Sequence, residues 1–293
     1  MQLSGADADA LKVDGYDWIK MAEAMRSRSV PVPRVISTLA SEAAIIVEDY
    51  GDMTVETEAL RLMTDSNWSG LKALYSRLID LVGLMLRADK GGNEVWTTRA
   101  FDAEKLHWEL DFFMRQFAVP IAGLNLTPAQ AQQFEADAKS ISSYLSQFSR
   151  YLTHRDFHSR NVMFKQGELA VIDFQDSRLG PPSYDLVSVL FDSYVPFELP
   201  LRTELMNLAI SRVRANNGNE VADQIVQTWR PMLLQRQLKA IGSFGYLTRV
   251  KGRGNYLRYV KDALLTIPDN IVGDQRWPFI SIELVKLLSQ AAG

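Results

Sequence analysis

The stretch that decides the fold reads HRDFHSRNVMF at residues 154–164, KQGE at 165–168 and LAVIDFQD at 169–176. Two short apolar runs, VMF and LAVI, stand on either side of a four-residue turn that contains a glycine, and this pattern predicts a tight β-hairpin. Polar residues lie just outside both strands, because Asn161 precedes the first strand and Asp173 follows the second. The hairpin is therefore expected to bring this amide and this carboxylate together.

A further carboxylate, Asp156, stands five positions before Asn161. Two carboxylates and an amide in this order suit phosphoryl transfer, in which the protein mainly positions the reactants and neutralises charge. The spacing matches the kinase catalytic loop H-R-D-x-x-x-x-N followed by an Asp-Phe step. We expect Asp156 to be catalytic and to accept the proton of an attacking hydroxyl. Asn161 and Asp173 supply the hard oxygen ligands that Mg²⁺ prefers.

The two histidines of the stretch receive different interpretations. His158 stands two residues after Asp156, where protein kinases carry a lysine, and it is predicted to be catalytic by donating a hydrogen bond to the γ-phosphate. His154 is predicted to hold the loop in place. A competing interpretation is that Asp156 and Asp173 merely cap turns. A lone H-R-D motif would favour the turn-capping interpretation. Here Asp156, Asn161 and Asp173 are in register across one hairpin, which favours a role in phosphoryl transfer.

Composition narrows the function classes. The chain has 293 residues, is 47% apolar and contains no cysteine, which excludes disulfides, cysteine zinc sites, iron–sulfur clusters and thiol nucleophiles. Its formal net charge of −3 does not indicate a nucleic-acid binder. The amino end has no apolar run, and no segment has the apolar length of a membrane span. We expect a soluble cytoplasmic protein with a small-molecule substrate, without nucleic acid or a membrane as a partner.

Periodicity divides the chain into two regions. An amphipathic helix is predicted at 14–28 and two strands at 34–38 and 43–48, followed by a Gly-containing connector. From residue 71 onward the pattern predicts helices at 71–87, 102–117, 127–150, from 183, 200–215, 220–247 with a break at Pro231, 254–265 and 279–289. The fold class is α+β, with residues 1–52 forming part of an amino-terminal nucleotide-binding lobe with its hinge and residues 53–293 forming a helical lobe.

Additional motifs carry a resemblance that covers nearly the whole chain. They are LGP at 179–181, YDLVS at 184–188, VPRV at 32–35, VEDYGD at 47–52, WELDFF at 108–113 and QRQLKAIG at 235–242. Together with the stretch 154–176, they make the chain similar to the aminoglycoside phosphotransferase and choline kinase superfamily. More narrowly, it resembles the bacterial kinases that phosphorylate the anomeric hydroxyl of N-acetylmuramate and N-acetylglucosamine in peptidoglycan recycling. The resemblance implies a bilobal protein-kinase-like fold that uses ATP and Mg²⁺.

The resemblance also implies roles for individual residues. Asp156 would be the catalytic base, with Asn161 and Asp173 as magnesium ligands. The carbonyl of Glu48 and the amide of Tyr50 would bind the adenine at the hinge. Asp185 would anchor the catalytic loop by accepting its amide hydrogen bonds.

The residues that would bind the acceptor are less sharply indicated. Glu109 and Asp111 lie on a helix expected to border the acceptor pocket and would take hydroxyl hydrogen bonds, although acids on a helix are often only solvated. Arg160 stands near the base Asp156 and would face an acidic substituent such as a lactyl carboxylate, or else form a loop-stabilising ion pair. Trp108 would stack on a sugar ring or belong to the core.

The chain departs from the family at its beginning. No Gly-rich phosphate-covering loop precedes the hinge, and Met1–Leu3 is predicted to lie in the third strand of the sheet. A sequence that starts late, a trimmed kinase and an inactive chain are the three interpretations, and the intact catalytic and metal-binding residues favour the first. Missing strands would leave a strand edge open to self-association.

The leading functional prediction is an ATP-dependent kinase that acts on the anomeric hydroxyl of N-acetylmuramate or N-acetylglucosamine. An aminoglycoside or choline-type kinase stays open, because helix 102–117 offers acids and aromatics to a cationic acceptor. A catalytically impaired pseudokinase also stays open, since the missing front end favours it while the intact residues disfavour it.

Overall fold

The structure is a computed structural model that describes residues 1, 3, 6–12, 16–88, 95–267 and 274–291. In its amino-terminal part lie helices α1 Ala6–Lys12 and α2 Asp17–Ser27 and strands β1 Val35–Leu39 and β2 Ala44–Val47. Both predicted strands are confirmed. The helix predicted at 14–28 is confirmed as α2, although Asp14 lies outside the described residues. Helix α1 has no counterpart in the sequence-based prediction.

The first residues of the chain lie beside the amino-terminal hairpin. Strands β1 and β2 pair antiparallel. The amide of Leu3 donates to the carbonyl of Ala43 at 2.7 Å, and the amide of Ile45 donates to the carbonyl of Met1 at 3.0 Å. Met1 and Leu3 therefore hydrogen-bond to the region of β2, but neither belongs to a strand, and Gln2 lies outside the described residues, so the strand predicted at 1–3 stays a prediction.

The rest of the described chain is mainly helical. Its elements are α3 Val55–Thr64, α4 Trp68–Arg87, α5 Ala103–Phe113, α6 Pro128–Ser146, β3 Tyr151–Thr153, β4 Val162–Lys165, β5 Glu168–Val171, β6 Arg178–Gly180, α7 Tyr184–Leu190, α8 Leu199–Asn217, α9 Asn219–Arg249, α10 Val260–Leu265 and α11 Val285–Ala291. Their apolar side chains and those of α2 pack into one continuous core. The α+β fold class is confirmed. Among the helices of the described residues, none is both long and apolar enough to span a membrane.

The predicted helices are confirmed with small changes at their ends. Helix α5 continues as a π-helical turn at Met114–Ala118, and the predicted helix at 254–265 is a 3₁₀ turn at Gly254–Tyr259 followed by α10. Another π-helical turn, Phe279–Leu284, leads into α11. The prediction did not include α3, which begins directly after the hinge region with Thr54 as its N-cap.

The predicted break of α9 at Pro231 is wrong. The helix runs without interruption from Asn219 to Arg249 with Pro231 inside it. A proline removes the hydrogen bond to the carbonyl four residues earlier, and here that carbonyl, of Gln227, accepts the hydroxyl of Tyr144 on α6 at 3.4 Å. A tertiary contact thus replaces the missing backbone donor.

The catalytic hairpin is formed by β4 and β5 as predicted. Its two-residue turn has positive φ angles at Gln166 (52°) and Gly167 (87°), the combination that a tight hairpin turn requires. The amide of Val171 donates to the carbonyl of Pro31, in the amino-terminal region, at 2.7 Å. The amide of Phe164 donates to the carbonyl of Met53, at the start of the second region, at 2.8 Å. The hairpin therefore connects the two regions of the chain.

Two glycines let α9 approach α5 and the turn that follows it. A Cβ atom added at Gly242 would lie 2.8 Å from Cα of Phe113, and one added at Gly245 would lie 2.3 Å from the carbonyl oxygen of Gln116. Real Cβ atoms do not come so close to backbone atoms, so the spacing of these elements requires glycine at both positions.

Alanine in place of Gly245 should therefore destabilise the protein. Glycine to alanine inside a helix normally stabilises it by up to about 1 kcal/mol, whereas overpacking costs about 1–3 kcal/mol. We expect Gly245→Ala to lower the free energy of unfolding, measured by urea denaturation. Gly254→Ala is the control, because an added Cβ there would meet no atom within 4 Å. Equal stability of the two variants would contradict this account of the packing.

Candidate active site

Two buried carboxylates hold the loop 154–161. Asp185 on α7 accepts the backbone N–H groups of His154 at 2.6 Å and of Arg155 at 3.1 Å. Asp192, just beyond α7, accepts the backbone N–H of Ser159 at 2.8 Å and its hydroxyl at 2.5 Å. Burial raises the pKa of Asp185 to about 7, while its two N–H donors act in the opposite direction. The hydrogen bonds predicted for Asp185 are confirmed.

His154 joins the loop to the hairpin. Its Nε2 donates to the carbonyl of Ile172, just after β5, at 2.8 Å. The ring is buried, and burial lowers the pKa of His154 against the opposing effect of this hydrogen bond. A neutral ring with its proton on Nε2 satisfies the contact, and the predicted structural role of His154 is consistent with it.

Asn161 and Asp173 lie side by side at the hairpin ends. Nδ2 of Asn161 donates to the carbonyl of Asp156 at 3.0 Å and lies 3.4 Å from Oδ2 of Asp173. Nε2 of Gln175 donates to the other carboxylate oxygen of Asp173 at 2.7 Å. The backbone is left-handed at Asp173 (φ 60°) and at Arg155 (φ 82°). Such conformations are costly for non-glycine residues and cluster at functional sites.

This donor set fits a magnesium ion. Because the amide nitrogen of Asn161 faces Asp156 and Asp173, its Oδ1 is left to bind a cation. Together with the carboxylate of Asp173 it offers two hard oxygen ligands, and Mg²⁺ commonly takes its remaining ligands from phosphate and water.

A cavity of about 390 Å³ opens beside Asp156 and Asp173. One part of its lining is aromatic and consists of Trp108, Phe112, Phe191, Tyr194, Phe244 and Tyr246. Another part is ionisable and consists of Arg155, Asp156, His158, Asp173, Asp192, Arg236 and Lys239. A concave site with apolar walls and a few converging charges is typical of small-molecule binding.

Cations surround the carboxylate of Asp156. Nζ of Lys239 contacts its Oδ1, and Nε of Arg155 lies 4.0 Å from its Oδ2. Burial alone raises the pKa of Asp156, but the charges of Lys239, Arg236 and Arg155 outweigh burial and hold this pKa well below its usual range. Burial likewise lowers the pKa of Lys239, which the charge of Asp156 partly restores. Asp156 is therefore ionised at neutral pH, as a proton acceptor must be.

His158 lies at the cavity two residues from Asp156. Its ring packs edge-to-face on Tyr194 with centroids 5.1 Å apart. Burial lowers the pKa of His158, although the charge of Asp192 opposes this effect. The residue is thus brought to the predicted place but as an uncharged ring.

Helix α5, which was predicted to border the acceptor pocket, lines the cavity with Trp108 and Phe112 and not with its acidic residues. Glu109 is fully buried, and both of its oxygens lie 3.4 Å from the hydroxyl of Tyr184. Asp111 forms an ion pair with Arg115 at 2.9 Å. Neither acid is among the described residues that line the cavity, so a sugar contact for either stays a prediction. Trp108 is 40% exposed and does line it, which places it outside the core.

Arg160 adopts the ion-pair alternative. Its Nε and Nη2 donate to Glu56 of α3 at 2.8 and 2.7 Å, and Nη2 also lies 2.7 Å from the hydroxyl of Tyr259. The guanidinium stacks over Tyr194 at 3.7 Å from the ring centroid. With its donors directed at these partners, Arg160 is not among the described cavity-lining residues, and its contact with an acidic substituent stays a prediction.

The hinge residues lie at the end of β2. The amide of Glu48 donates to the carbonyl of Arg34 at 2.8 Å. Nζ of Lys165, from the catalytic hairpin, donates to the carbonyl of Asp49 at 2.8 Å. Glu48 and Tyr50 thus flank a contact between the hinge and the hairpin, and their binding of adenine stays a prediction.

The sequence analysis assigned no role to Lys239, Arg236, Asp192 or Tyr194. The run QRQLK at 235–239 of α9 is the sequence feature that could have indicated Lys239 and Arg236, since its polar and charged side chains are all buried. A charged run on a helix is usually solvated, however, and sequence alone did not place this one beside Asp156. The acidic position 192 lies in a stretch without a recognisable motif.

Comparisons with known proteins identify the family of the chain. The model of the phosphotransferase enzyme family matches residues 7–217. An N-acetylmuramate/N-acetylglucosamine kinase of Neisseria meningitidis is 29% identical over 229 residues, covering 78% of this chain and 66% of the relative. A protein of the same name from Pseudomonas aeruginosa is 23% identical, covering 90% of this chain and 77% of the relative. The chain thus spans slightly under two thirds of the first relative.

Solved structures show a similar fold. The gentamicin complex of APH(2'')-IIa superposes with a TM-score of 0.57 at 16% sequence identity, and the match covers 92% of this chain and 84% of the APH(2'')-IIa chain. An ethanolamine kinase of Plasmodium vivax superposes with a TM-score of 0.58 at 12% sequence identity, and the match covers 85% of this chain and 71% of the ethanolamine kinase. At these identities, the likeness concerns the fold alone.

Removal of the Asp185 carboxylate should destabilise the protein, because this carboxylate holds the loop 154–161 in place. Asp185→Ala leaves two buried N–H groups without an acceptor, and each unpaired group costs about 1–3 kcal/mol. We expect a loss of at least about 2 kcal/mol in the free energy of unfolding, measured with urea. The control is Asp80→Ala, which removes an exposed ion pair with Arg212 and should cost less than about 1 kcal/mol. Equal losses would show that Asp185 does not anchor the loop.

Proposed function

The chain belongs to the phosphotransferase enzyme family, and from that premise we propose that it transfers the γ-phosphoryl group of ATP to a hydroxyl of a small amino sugar. The observation that carries the proposal is that Asp156 and Asp173 line one cavity, with the amide of Asn161 hydrogen-bonded beside both. In the proposed reaction, Asp156 would supply an oxygen to the acceptor hydroxyl, and Asn161 and Asp173 would supply oxygens to Mg²⁺.

The reaction follows from these positions. The acceptor hydroxyl donates to the carboxylate of Asp156, and its oxygen forms a bond to the γ-phosphorus while the bond from that phosphorus to the bridging oxygen breaks. ADP leaves, and the hydroxyl proton passes to Asp156. Mg²⁺, held by Asn161 and Asp173, would neutralise charge on the nucleotide phosphates. Most of the rate enhancement then comes from positioning and electrostatics.

The acceptor proposed is the anomeric hydroxyl of N-acetylmuramate or N-acetylglucosamine. Two relatives at 29% and 23% identity bear the name of a kinase of these sugars. Trp108 and Phe112, which stack on each other with ring centroids 5.2 Å apart, line the cavity and would supply apolar contacts to a sugar ring. The pKa of Asp156 is held low, so its carboxylate is a weak base. An anomeric hydroxyl is more acidic than an ordinary alcohol and therefore needs a less strong base.

The charges at the cavity bear on the alternative acceptors. Lys239, Arg236 and Arg155 act on Asp156, and such a group of cations disfavours a polycationic aminoglycoside or a choline-type cation beside the base. The intact Asp156, Asn161 and Asp173 also disfavour a pseudokinase.

The wider proposal includes the donor site and the cellular setting. Glu48 and Tyr50 would bind the adenine through their backbone, at a boundary near residue 52 between the nucleotide-binding and helical regions. The connection of Lys165 to the hinge supports this arrangement, because it ties the metal-binding hairpin to the adenine side. The product would belong to the recycling of cell-wall amino sugars in the cytoplasm.

Removal of the base tests the mechanism. Asp156→Asn should lower kcat by at least about 10²-fold, the usual contribution of a positioned acid–base group, while the far-ultraviolet circular dichroism spectrum stays unchanged. Asp80→Asn, a change of an exposed carboxylate on α4, is the control and should keep kcat within about twofold. Turnover of Asp156→Asn near that of the unmodified protein would remove Asp156 from the mechanism.

A substrate panel tests the acceptor. With ATP and Mg²⁺, we expect N-acetylmuramate or N-acetylglucosamine to give a sugar 1-phosphate, identified by the coupling of its phosphorus to the anomeric proton in NMR spectra. A 1-O-methyl glycoside of the same sugar should not react, because its anomeric oxygen carries no proton. Phosphorylation of aminoglycosides or choline alone would show that the acceptor assignment is wrong.

A further inference from the structure

Lys239 is the buried lysine of the reaction centre. It lies on α9, is 7% exposed and lines the cavity, and its Nζ contacts Oδ1 of Asp156. In the proposed mechanism, the carboxylate of Asp156 contacts the acceptor hydroxyl, which in turn contacts the γ-phosphorus. The ammonium of Lys239 therefore contacts the same carboxylate that would contact the acceptor hydroxyl.

Each of the other cations near the base has at least one partner, although Nη1 of Arg236 is buried without one. Nη1 of Arg155 pairs with Asp176 at 3.2 Å, Nε of Arg236 donates to Ser188 at 2.6 Å, and Arg160 pairs with Glu56. His158, which holds the sequence position of a kinase lysine, packs edge-to-face on Tyr194, and desolvation lowers its pKa, so its ring is uncharged at neutral pH. Among the described residues that line the cavity, Lys239 is the only lysine, and its ammonium contacts the base directly.

Stability does not account for a lysine at this position. Burying two charges is expensive, and an apolar pair of similar volume is often equally stable or more stable than a buried ion pair. A transferring phosphoryl group, in contrast, carries negative charge on three oxygens, and a preorganised ammonium stabilises it strongly where water is excluded. The placement of Lys239 makes sense as electrostatic catalysis.

We propose that Lys239 is a catalytic residue whose ammonium donates to the transferring γ-phosphoryl group, in place of a lysine in the catalytic loop. The inference rests on the proposed function. Lys239 keeps its proton throughout: the acceptor oxygen forms the new bond to phosphorus, the bond to the bridging oxygen of ADP breaks, and the hydroxyl proton goes to Asp156. One Nζ group would then contact both the base and the group that moves.

A chemical restoration experiment separates charge from bulk. The chain contains no cysteine, so Lys239→Cys introduces a unique thiol. Treatment with 2-bromoethylamine restores an ammonium at lysine length, and treatment with iodoacetamide gives a neutral adduct. We expect Lys239→Cys to lower kcat with N-acetylglucosamine and ATP by about 10²-fold, and the ammonium adduct alone to recover at least about tenfold. The unmodified protein and Lys139→Cys, an exposed lysine of α6, treated identically, control for reagent damage.

Two outcomes of that experiment would overturn the proposal. One is a kcat of Lys239→Cys within about threefold of that of the unmodified protein. The other is equal recovery with the neutral adduct, which would show that the side chain only fills space. A role exerted solely through Asp156 is tested by Lys239→Met in the Asp156→Asn background, which removes both charges of the pair and so avoids an unpaired buried charge. A further loss of kcat there supports direct contact with the phosphoryl group, and no further loss overturns it.

A binding measurement does not depend on turnover. Beryllium fluoride with Mg·ADP mimics the γ-phosphoryl group. By calorimetry, Lys239→Met should weaken the binding of this complex by about tenfold and leave ADP binding unchanged, and equal effects on both ligands would overturn the proposal. If the unmodified protein phosphorylates no acceptor, the proposed function fails, while this comparison still decides whether Lys239 contacts the γ-phosphate position.

Discussion

The attachment of the loop 154–161 to two carboxylates of the α7 region is the constraint on which the site depends. Apart from a short 3₁₀ turn, this loop has no regular structure to satisfy its backbone N–H groups, and buried backbone donors need partners. Asp185 and Asp192 provide them. Because every residue of α7 is buried, the loop takes its position from the core itself. The direction of the Asp156 side chain and the place of Asn161 at the start of β4 follow.

The parts of the fold that sequence could predict are those set by local interactions. The hairpin of β4 and β5 follows from strand pattern and turn chemistry, and it alone brings Asn161 to Asp173. The break expected at Pro231 is absent because a hydroxyl from α6 satisfies the freed carbonyl of Gln227, a contact between residues 83 positions apart. The partnership of Asp156 with Lys239 joins residues equally distant in sequence. Local patterns do not encode such pairings.

The buried charges around the base explain the placement of Glu109. A cation in a protein interior must have a counter-charge nearby. Lys239 and Arg236 lie close enough to Glu109 for its charge to raise the pKa of each. The sequence shows an acid on a helix next to the acceptor pocket, but it does not show which face of the helix is buried. Glu109 points into the interior and balances the cations, whereas Trp108, one residue earlier, faces the cavity.

The same helix contact that requires glycine also affects the shape of the cavity beside Asp156. Gly242 and Gly245 bring α9 against α5 and its π-helical turn, and the cavity lies beside this contact, with Trp108 and Phe112 contributed by α5 and Lys239 and Tyr246 by α9. Their spacing therefore fixes the distance between an aromatic wall and a charged one. Leaving a tryptophan 40% exposed costs hydrophobic free energy unless a ligand covers it. If the proposed acceptor binds there, the packing of these two helices would set the distance between the wall that contacts its ring and the carboxylate of Asp156.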